Sequence, residues 1–337
     1  MSGSAGGVDA GGRTGATDVG LPPLVAVVGA TASGKSGLAL ELAEAVGGEI
    51  VNTDSLQVYR HFDIGTAKPT PAERARVPHH LIDVAEPDEP YSAGRYVEDA
   101  RAVLAGIVAR GRVPILCGGT GLYYRALTQG LADIPPVPAP VLAALDARIA
   151  VEGSAALHAE LARVDAAAAA SIHPNDPMRI ARALAVFESA GRPLSDYRQE
   201  RPFRAGAGRL LAVGLRWERA RLYERVNARV RSMLAAGWAQ EVRGLLDRGY
   251  GPTLKPMRAI GYRELAAWLL AGGDPEDGVP EALAEDIAQR TRRYAKRQLT
   301  WFRQHPEVRW APPGQAASLH AAVRDFVRRE LPGARHA

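Results

Sequence analysis

Short apolar runs alternate along the chain with segments of helical periodicity. Mostly apolar runs of strand length occupy positions 24–28, 49–53, 113–117 and 209–215. Apolar residues recur at helical spacing over 38–43, 91–110, 222–236 and 290–303. Strands that are apolar on both faces are typical of a parallel sheet covered by helices. The pattern therefore predicts an α/β fold with a parallel sheet flanked by helices.

A glycine-rich loop with the pattern G-x-x-x-x-G-K-S follows the first run directly. It consists of Gly29, Ala30, Thr31, Ala32, Ser33, Gly34, Lys35 and Ser36. A strand, this loop and a helix in that order match the phosphate-binding P-loop, whose backbone N–H groups converge on phosphate at a helix N-terminus. We expect Lys35 to neutralise phosphate oxygens and the Ser36 hydroxyl to ligate Mg²⁺. The alternative is an ordinary glycine turn between a strand and a helix.

Two further strands end in polar residues that belong at the same edge of the sheet. Asp54 follows the run at 49–53, and Thr120 follows Gly118 and Gly119 after the run at 113–117. In a parallel sheet the carboxyl ends of the strands open onto the ligand crevice. Asp54 is therefore predicted to accept a proton or to hold a metal-bound water, and its alternative role is to cap a helix. The absence of an acidic residue after the third run argues against a hydrolytic switch.

Prolines at 134–140 and the returning strand at 209–215 predict an inserted domain. We divide the chain into a disordered leader at 1–20, a core at 21–134 and 207–312, a helical insertion at 135–206 and a C-terminal tail at 313–337. Within the insertion, Asp176 and Pro177 are suited to begin a helix. Arg179 and Arg182 share one face of that helix, where they either contact RNA or form a solvated surface.

The composition favours a globular protein with an anionic partner. The 337 residues are 47% hydrophobic and carry a formal net charge of +5. No apolar run is long enough to span a bilayer, and Cys117 is the only cysteine, so we expect a cytoplasmic protein. Basic residues at 290–303 are interleaved with Tyr294, Trp301 and Phe302, which suits both nucleic-acid contact and packing against a core. The adjacent His79 and His80 point to opposite faces, so a shared metal is not expected.

Several motifs in a fixed order together resemble the tRNA dimethylallyltransferase (tRNA isopentenyltransferase) family of the bacterial type. The resemblance extends from about Leu24 to Arg303. It rests on the P-loop and on the motifs Asp54-Ser55-x-Gln57-x-Tyr59, Asp63-Ile64-Gly65-Thr66-Ala67-Lys68, His79-His80-Leu81-Ile82-Asp83, Gly118-Gly119-Thr120, Ile172-His173-Pro174-Asn175-Asp176, Ile260-Gly261-Tyr262 and Ala295-Lys296-Arg297-Gln298.

The resemblance implies a P-loop NTPase-like fold and a specific reaction. The family transfers a dimethylallyl group from dimethylallyl diphosphate to the exocyclic N-6 amine of the adenine 3′-adjacent to the anticodon, position 37 of tRNA. By resemblance, the P-loop holds the diphosphate with Mg²⁺, and the catalytic residues are Asp54 as general base, Thr120 and Arg229. The implied partner is the anticodon stem-loop, bound by a monomer. Its implied contacts are Asp54, Ser55, Leu56, Gln57, Thr120, Arg179, Arg182, Arg258, Arg263, Lys296 and Arg297.

The chain departs from the family pattern at a few positions. Ala30 replaces a usual proline, His61 replaces a common glycine and Ala185 replaces a usual glutamate. The stretch 141–144 lacks an arginine that many relatives carry after the proline-rich junction. The chain also stops without the zinc finger that eukaryotic relatives append.

Two other functions share some of these features. A small-molecule kinase would use the same P-loop, the same aspartate and Mg²⁺, and the basic insertion could serve as its lid. A non-catalytic RNA-binding protein could retain a relic P-loop. The intact set of Lys35, Ser36, Asp54 and Thr120 argues against the relic, and a comparison of nucleotide binding with dimethylallyl diphosphate binding would distinguish the kinase.

Overall fold

A six-stranded sheet, parallel throughout, forms the centre of the protein. The computed structural model describes residues 21–200 and 209–334; the predicted leader at 1–20 lies outside them. The strand order is β3-β2-β4-β1-β5-β6. The strands are β1 (Leu24–Val28), β2 (Gly48–Asn52), β3 (His79–His80), β4 (Val113–Gly118), β5 (Leu210–Leu215) and β6 (Val308–Ala311). The predicted α/β class and the four predicted strands are confirmed.

The register of β1 explains why its sequence is apolar at every position. Val27 lies opposite Cys117 of β4 on one side and Val213 of β5 on the other. Successive side chains point to opposite faces of a strand, so Ala26 and Val28 join one hydrophobic core while Val25 and Val27 join a second. Both faces of the sheet are therefore buried.

The described part of the chain contains fourteen α-helices. They are α1 (Lys35–Val46), α2 (Pro71–Arg76), α3 (Ala93–Ala109), α4 (Gly121–Gln129), α5 (Ala139–Glu152), α6 (Ser154–Val164), α7 (Ala166–Ser171), α8 (Pro177–Ala190), α9 (Leu194–Glu200), α10 (Arg219–Ala235), α11 (Trp238–Asp247), α12 (Tyr262–Leu270), α13 (Glu281–Arg303) and α14 (Ala316–Glu330). Helices α3, α4, α11, α12 and α13 contribute to one core and α1 and α14 to the other. None of these helices is long and apolar enough to cross a bilayer.

The stretch predicted as a C-terminal tail at 313–337 contains a helix that packs on the core. Helix α14 occupies most of this stretch, and its Leu319, Val323 and Phe326 are buried in the same core as α1. Strand β6 before it extends the sheet beside β5. The tail is therefore corrected to a core helix, because an amphipathic segment of this length buries its apolar face when a sheet surface is available.

Helices α5–α9 pack around a separate small core. Leu145, Leu161, Ile180 and Leu184 are among its fully buried members. The alanine-rich stretch before α7 is divided at Gly153, which adopts φ +82°, and at Asp165, whose side chain accepts a hydrogen bond from the Ala168 N–H. As predicted, the Asp176 side chain caps α8 by accepting a hydrogen bond from the Arg179 N–H.

Candidate active site

One large cavity opens at the carboxyl edge of the sheet. Its volume is about 730 Å³, which is within the range of small-molecule and cofactor sites. Residues from the P-loop, the turn after β2, helix α10, the segment before α12 and helix α13 line it. The lining includes Lys35, Ser36, Asp54, Ser55, Leu56, Gln57, Arg229, Arg258, Tyr294 and Gln298. These residues are far apart in the sequence, and the parallel topology brings them to one edge.

The P-loop has a backbone suited to an anion. Gly34 adopts φ +91° and Ala32 φ +62°, so the chain turns sharply just before α1. Within the described residues, the N–H groups of Gly34, Lys35 and Ser36 have no backbone acceptor. The Lys35 ammonium donates a long hydrogen bond of 3.4 Å to the Ala30 carbonyl, within its own loop. Unpaired N–H groups at a helix N-terminus beside a lysine form a phosphate-binding arrangement.

Three side chains from distant elements hold the P-loop in this shape. Gln298 of α13 accepts a hydrogen bond from the Thr31 N–H at 2.8 Å and donates one to the Gly119 carbonyl at 2.9 Å. The Trp217 indole donates to the Ser33 carbonyl at 2.7 Å, and the Arg225 guanidinium donates to the Ala32 carbonyl at 2.8 Å. The sequence did not predict that Gln298 of α13 would hold the phosphate loop. Its signal was its position in the Ala-Lys-Arg-Gln motif, directly beside two basic residues.

The structure assigns Asp54 to a turn rather than to a helix cap. Its Oδ1 accepts a hydrogen bond from the Leu56 N–H at 2.9 Å, and the residues after it form turns without an α-helix. Within the described residues, no hydrogen bond reaches its Oδ2 from another group. Because Asp54 lines the cavity, one carboxylate oxygen holds the turn and the other is available to a ligand. The alternative of a helix N-cap is therefore wrong.

Charge is concentrated where the P-loop and Asp54 meet. Burial lowers the pKa of Lys35, and the nearby Arg229 contributes in the same direction. Burial likewise lowers the pKa of Arg229, while the negative charge of Asp54 opposes the shift in both cations. Burial raises the pKa of the Cys117 thiol to about 11, so this cysteine stays protonated near neutral pH. Two partly desolvated cations beside one carboxylate favour an anionic ligand with several negative charges.

Thr120 is not among the residues that line the cavity, but it contacts Ser55, which does. Its Oγ1 accepts a hydrogen bond from the Ser55 N–H at 3.0 Å and lies 3.3 Å from the Ser55 hydroxyl. Gly118 makes this contact possible, because a Cβ there would lie 2.3 Å from the Thr53 carbonyl carbon. The ends of β2 and β4 therefore touch.

The predicted RNA contacts separate into two groups. Ser55, Leu56, Gln57 and Arg258 line the cavity with Asp54. The others lie outside its lining: Thr120, Arg179, Arg182, Arg263, Lys296 and Arg297. Of these, Arg179 pairs with Asp176 and Arg263 pairs with Glu264.

Two cavity residues that the sequence did not suggest are Met178 and Lys255. Met178 lies in the first turn of α8 in the insertion and is 77% exposed, yet it lines the cavity. It therefore marks the place where the insertion approaches the site. Lys255 also lines the cavity and donates a hydrogen bond to the Tyr91 carbonyl at 2.9 Å. Neither residue belongs to a recognisable motif, so only the tertiary structure shows them.

The histidine pair has structural partners. His80 pairs with Glu49 at 2.7 Å, and His79 contacts the Val77 carbonyl. No group of three or more His, Cys, Asp and Glu side chains suited to a metal occurs among residues 21–200 and 209–334. A cation in this cavity would take oxygen ligands such as the Ser36 hydroxyl, the free Asp54 carboxylate oxygen and oxygen atoms of a bound ligand, which are the hard donors that Mg²⁺ prefers.

The sheet, the phosphate loop and the cavity define the class of this protein. It is a P-loop NTPase-like protein whose phosphate loop shares a cavity with a carboxylate and with a basic segment before α12.

Comparisons with known proteins narrow this class to one family. A family model described as IPP transferase matches residues 57–305, and one described as isopentenyl transferase matches residues 22–83. The tRNA dimethylallyltransferase of Syntrophobacter fumaroxidans is 50% identical over 317 residues, covering 94% of this chain and 90% of that protein. The enzyme of the same name from Geobacter sulfurreducens is 51% identical over 305 residues, covering 90% and 96%.

Solved structures agree with this assignment. The full-length tRNA isopentenylpyrophosphate transferase of Bacillus halodurans matches with a TM-score of 0.65 and 36% identity, covering 91% of this chain and 97% of that one. A eukaryotic dimethylallyltransferase acting on tRNA matches with a TM-score of 0.71 and 26% identity, covering 91% and 78%. The chain belongs to the tRNA dimethylallyltransferase family and is a prenyltransferase, which confirms the predicted family and fold.

Proposed function

We propose that this protein transfers a dimethylallyl group from dimethylallyl diphosphate to the exocyclic N-6 amine of adenine 37 in tRNA. One observation carries the proposal: a P-loop and the free carboxylate oxygen of Asp54 line the same cavity. The P-loop would stabilise the leaving diphosphate, and the carboxylate would accept the proton of the attacking amine. Both groups must lie close to the same reacting carbon.

The P-loop is the proposed site of the donor diphosphate. Its free N–H groups and Lys35 would stabilise the negative charge that develops on the diphosphate as the carbon–oxygen bond breaks. Ser36 is the P-loop residue whose hydroxyl would hold Mg²⁺ together with the diphosphate oxygens. When bound, Mg²⁺ would neutralise part of the leaving-group charge. Arg229 adds a further cation on the side of Asp54.

Asp54 is the proposed proton acceptor. The N-6 lone pair forms the new bond to the first carbon of the dimethylallyl group, and the bond from that carbon to the diphosphate oxygen breaks with its electron pair on oxygen. The amine proton passes to the carboxylate of Asp54. This transfer matters because the adenine amine is a weak nucleophile whose lone pair is delocalised into the ring.

The anticodon stem-loop is the proposed nucleic-acid partner. An amine inside a base stack cannot reach a cavity, so the adenine must be flipped out of the loop. Gln57 and Arg258 line the cavity and are the side chains that we expect to meet a flipped base, and the exposed Arg293, Lys296 and Arg297 form a basic surface along α13. A monomer and a cytoplasmic location remain predictions.

The decisive experiment uses labelled dimethylallyl diphosphate, Mg²⁺ and unmodified tRNA. After incubation and digestion, we expect the label in an isopentenyl nucleoside, and we expect a chelator to abolish its formation. A tRNA with guanine at position 37 is the matched control, because it lacks the N-6 amine. Nucleotide hydrolysis or phosphorylation of a small molecule in place of prenyl transfer would instead support the kinase, which the comparisons do not favour.

A further inference from the structure

Glu241 of α11 holds a loop that forms part of the cavity wall. Its carboxylate accepts hydrogen bonds from the N–H groups of Asp63, Ile64 and Gly65 at 2.9, 2.6 and 3.3 Å. It also accepts one from the Tyr262 hydroxyl at 2.6 Å. Within the described residues, it forms no ion pair with a lysine, arginine or histidine. Four neutral hydrogen-bond donors, and no cation, therefore stabilise this carboxylate.

Trp238, one helical turn before Glu241, fixes the same loop from its apolar side. The Trp238 ring is 2% exposed and packs against Tyr262, with ring centroids 5.6 Å apart. A Cβ on Gly65 would lie 2.0 Å from the Trp238 Nε1, and one on Gly261 would lie 1.9 Å from its Cη2. The ring thus fits closely between two glycines. Helix α11 holds the loop by a polar contact and a packing contact only three residues apart.

The loop in turn orients a cavity residue. The Gln57 amide donates hydrogen bonds to the Thr66 and Ala67 carbonyls at 3.0 and 3.1 Å. These bonds place the NH₂ group on the loop side and leave the amide oxygen of Gln57 without a hydrogen bond to the described residues. Gln57, Gly65 and Thr66 all line the cavity. A shift of this loop would therefore rotate the Gln57 amide.

We propose that Glu241 is a positioning residue for RNA: by holding residues 63–65 it sets the amide orientation of Gln57 that meets the anticodon loop. This inference rests on the proposed function. Glu241 is not among the residues that line the cavity, so it acts through the loop and does not touch substrate. The proposed donor site is the P-loop, which within the described residues forms no hydrogen bond with Glu241 or with residues 63–65, so donor binding should depend less on Glu241 than RNA binding does.

The test is a double-mutant cycle with separate kinetics for the two substrates. We expect Glu241→Ala to raise the KM for an anticodon stem-loop about ten- to a hundredfold, with the KM for dimethylallyl diphosphate within about twofold of wild type. Glu241→Gln should recover much of the loss, because its oxygen can accept from two N–H groups and its amide can donate to Tyr262. In a Gln57→Ala background, Glu241→Ala should add less than about twofold.

Glu73→Ala is the matched control. Glu73 also accepts a backbone hydrogen bond, from the Thr70 N–H at 2.7 Å, but it does not line this cavity. We expect both KM values to stay at wild type. Hydrogen exchange gives a readout that does not depend on activity: the amides of residues 63–65 should be protected in wild type and exchange faster in Glu241→Ala.

Three results would overturn the inference. They are equal rises in both KM values, additive effects of Glu241→Ala and Gln57→Ala, and unprotected amides at 63–65 in wild type. An inactive wild-type enzyme would instead contradict the proposed function. The exchange experiment would still test whether the Glu241 carboxylate holds the amides of residues 63–65.

Discussion

At the scale of single residues, the two oxygens of Asp54 have different surroundings. Oδ1 is used by the Leu56 N–H, whereas Oδ2 carries no hydrogen bond from the described residues. A carboxylate that only stabilised a turn would need one oxygen. The second oxygen is therefore the one expected to take the proton of the adenine amine.

Asp54→Asn separates these two roles. Asparagine keeps an acceptor for the Leu56 N–H, so the turn should survive, but its amide is a far weaker base. We expect single-turnover prenyl transfer to fall about a hundred- to ten-thousandfold, with near-normal binding of donor and tRNA. Quench-flow transfer and equilibrium binding would measure the two effects. Transfer at close to the wild-type rate would show that Asp54 only supports the turn.

Lys35 has a similarly local role at the donor. The Lys35 ammonium donates a hydrogen bond to the Ala30 carbonyl, and burial lowers the pKa of Lys35. Lys35→Ala should weaken binding of dimethylallyl diphosphate about tenfold or more, because the variant cannot form a charge-assisted hydrogen bond to the diphosphate. Calorimetry with the diphosphate would measure this loss, with tRNA binding as the internal control. Unchanged donor affinity would place the diphosphate elsewhere.

At the scale of elements, helix α13 has two faces with different tasks. Ala295, Gln298 and Phe302 are buried, whereas Arg293, Lys296 and Arg297 are exposed. The sequence indicated that this helix could serve both nucleic-acid contact and packing against a core. What it did not show is that the buried face carries a polar residue, Gln298, which bridges the P-loop and the end of β4.

Gln298→Ala tests this bridge. The change leaves the Thr31 N–H and the Gly119 carbonyl without partners, so we expect a loss of about 1–3 kcal/mol in the free energy of unfolding. Donor binding should weaken more than tRNA binding, because the bridge holds the P-loop. Urea denaturation and titration with diphosphate would measure both quantities. Gln304→Ala, an exposed position at the end of the same helix, serves as control; equal effects of the two variants would refute a specific bridge.

At the scale of the whole molecule, the formal charge of +5 is spread unevenly. Within the described residues, Arg293 and Lys296 form no ion pair with a carboxylate, and Arg297 lies over the Tyr294 ring. Many other arginines, such as Arg328 with Asp325, are paired. Unpaired cations near the cavity suit the phosphates of an RNA that spans the core and the insertion.

Charge reversal tests this surface. We expect Arg293→Glu, Lys296→Glu and Arg297→Glu to weaken binding of the stem-loop and to lower the salt slope by about one for each phosphate that is no longer neutralised. Binding measured between low and physiological salt gives the slope. Arg328→Glu on α14 is the control, because α14 covers the opposite face of the sheet. A wild-type slope in all three test variants would mark them as a solvated surface.

Patterns that depend on near neighbours were sufficient for much of this protein. Four strand positions, the P-loop and the cap at Asp176 follow from apolar runs, glycine spacing and capping chemistry within a few residues. The placement of Asp54 beside the P-loop follows from one topological rule about parallel sheets. Local sequence therefore determined four strands of the sheet and the edge at which the site lies.

Only the tertiary structure decided which distant groups complete that edge. Thr31 and Gln298 are 267 positions apart, and Glu241 meets residues 63–65 across at least 176 positions. Nothing in a local pattern distinguishes these polar residues from solvated ones. A buried N–H group must find an acceptor, and packing alone determines which side chain is near enough to provide it. Tertiary packing also decided the position of α14. Its apolar face is buried because this helix covers an apolar surface of the sheet.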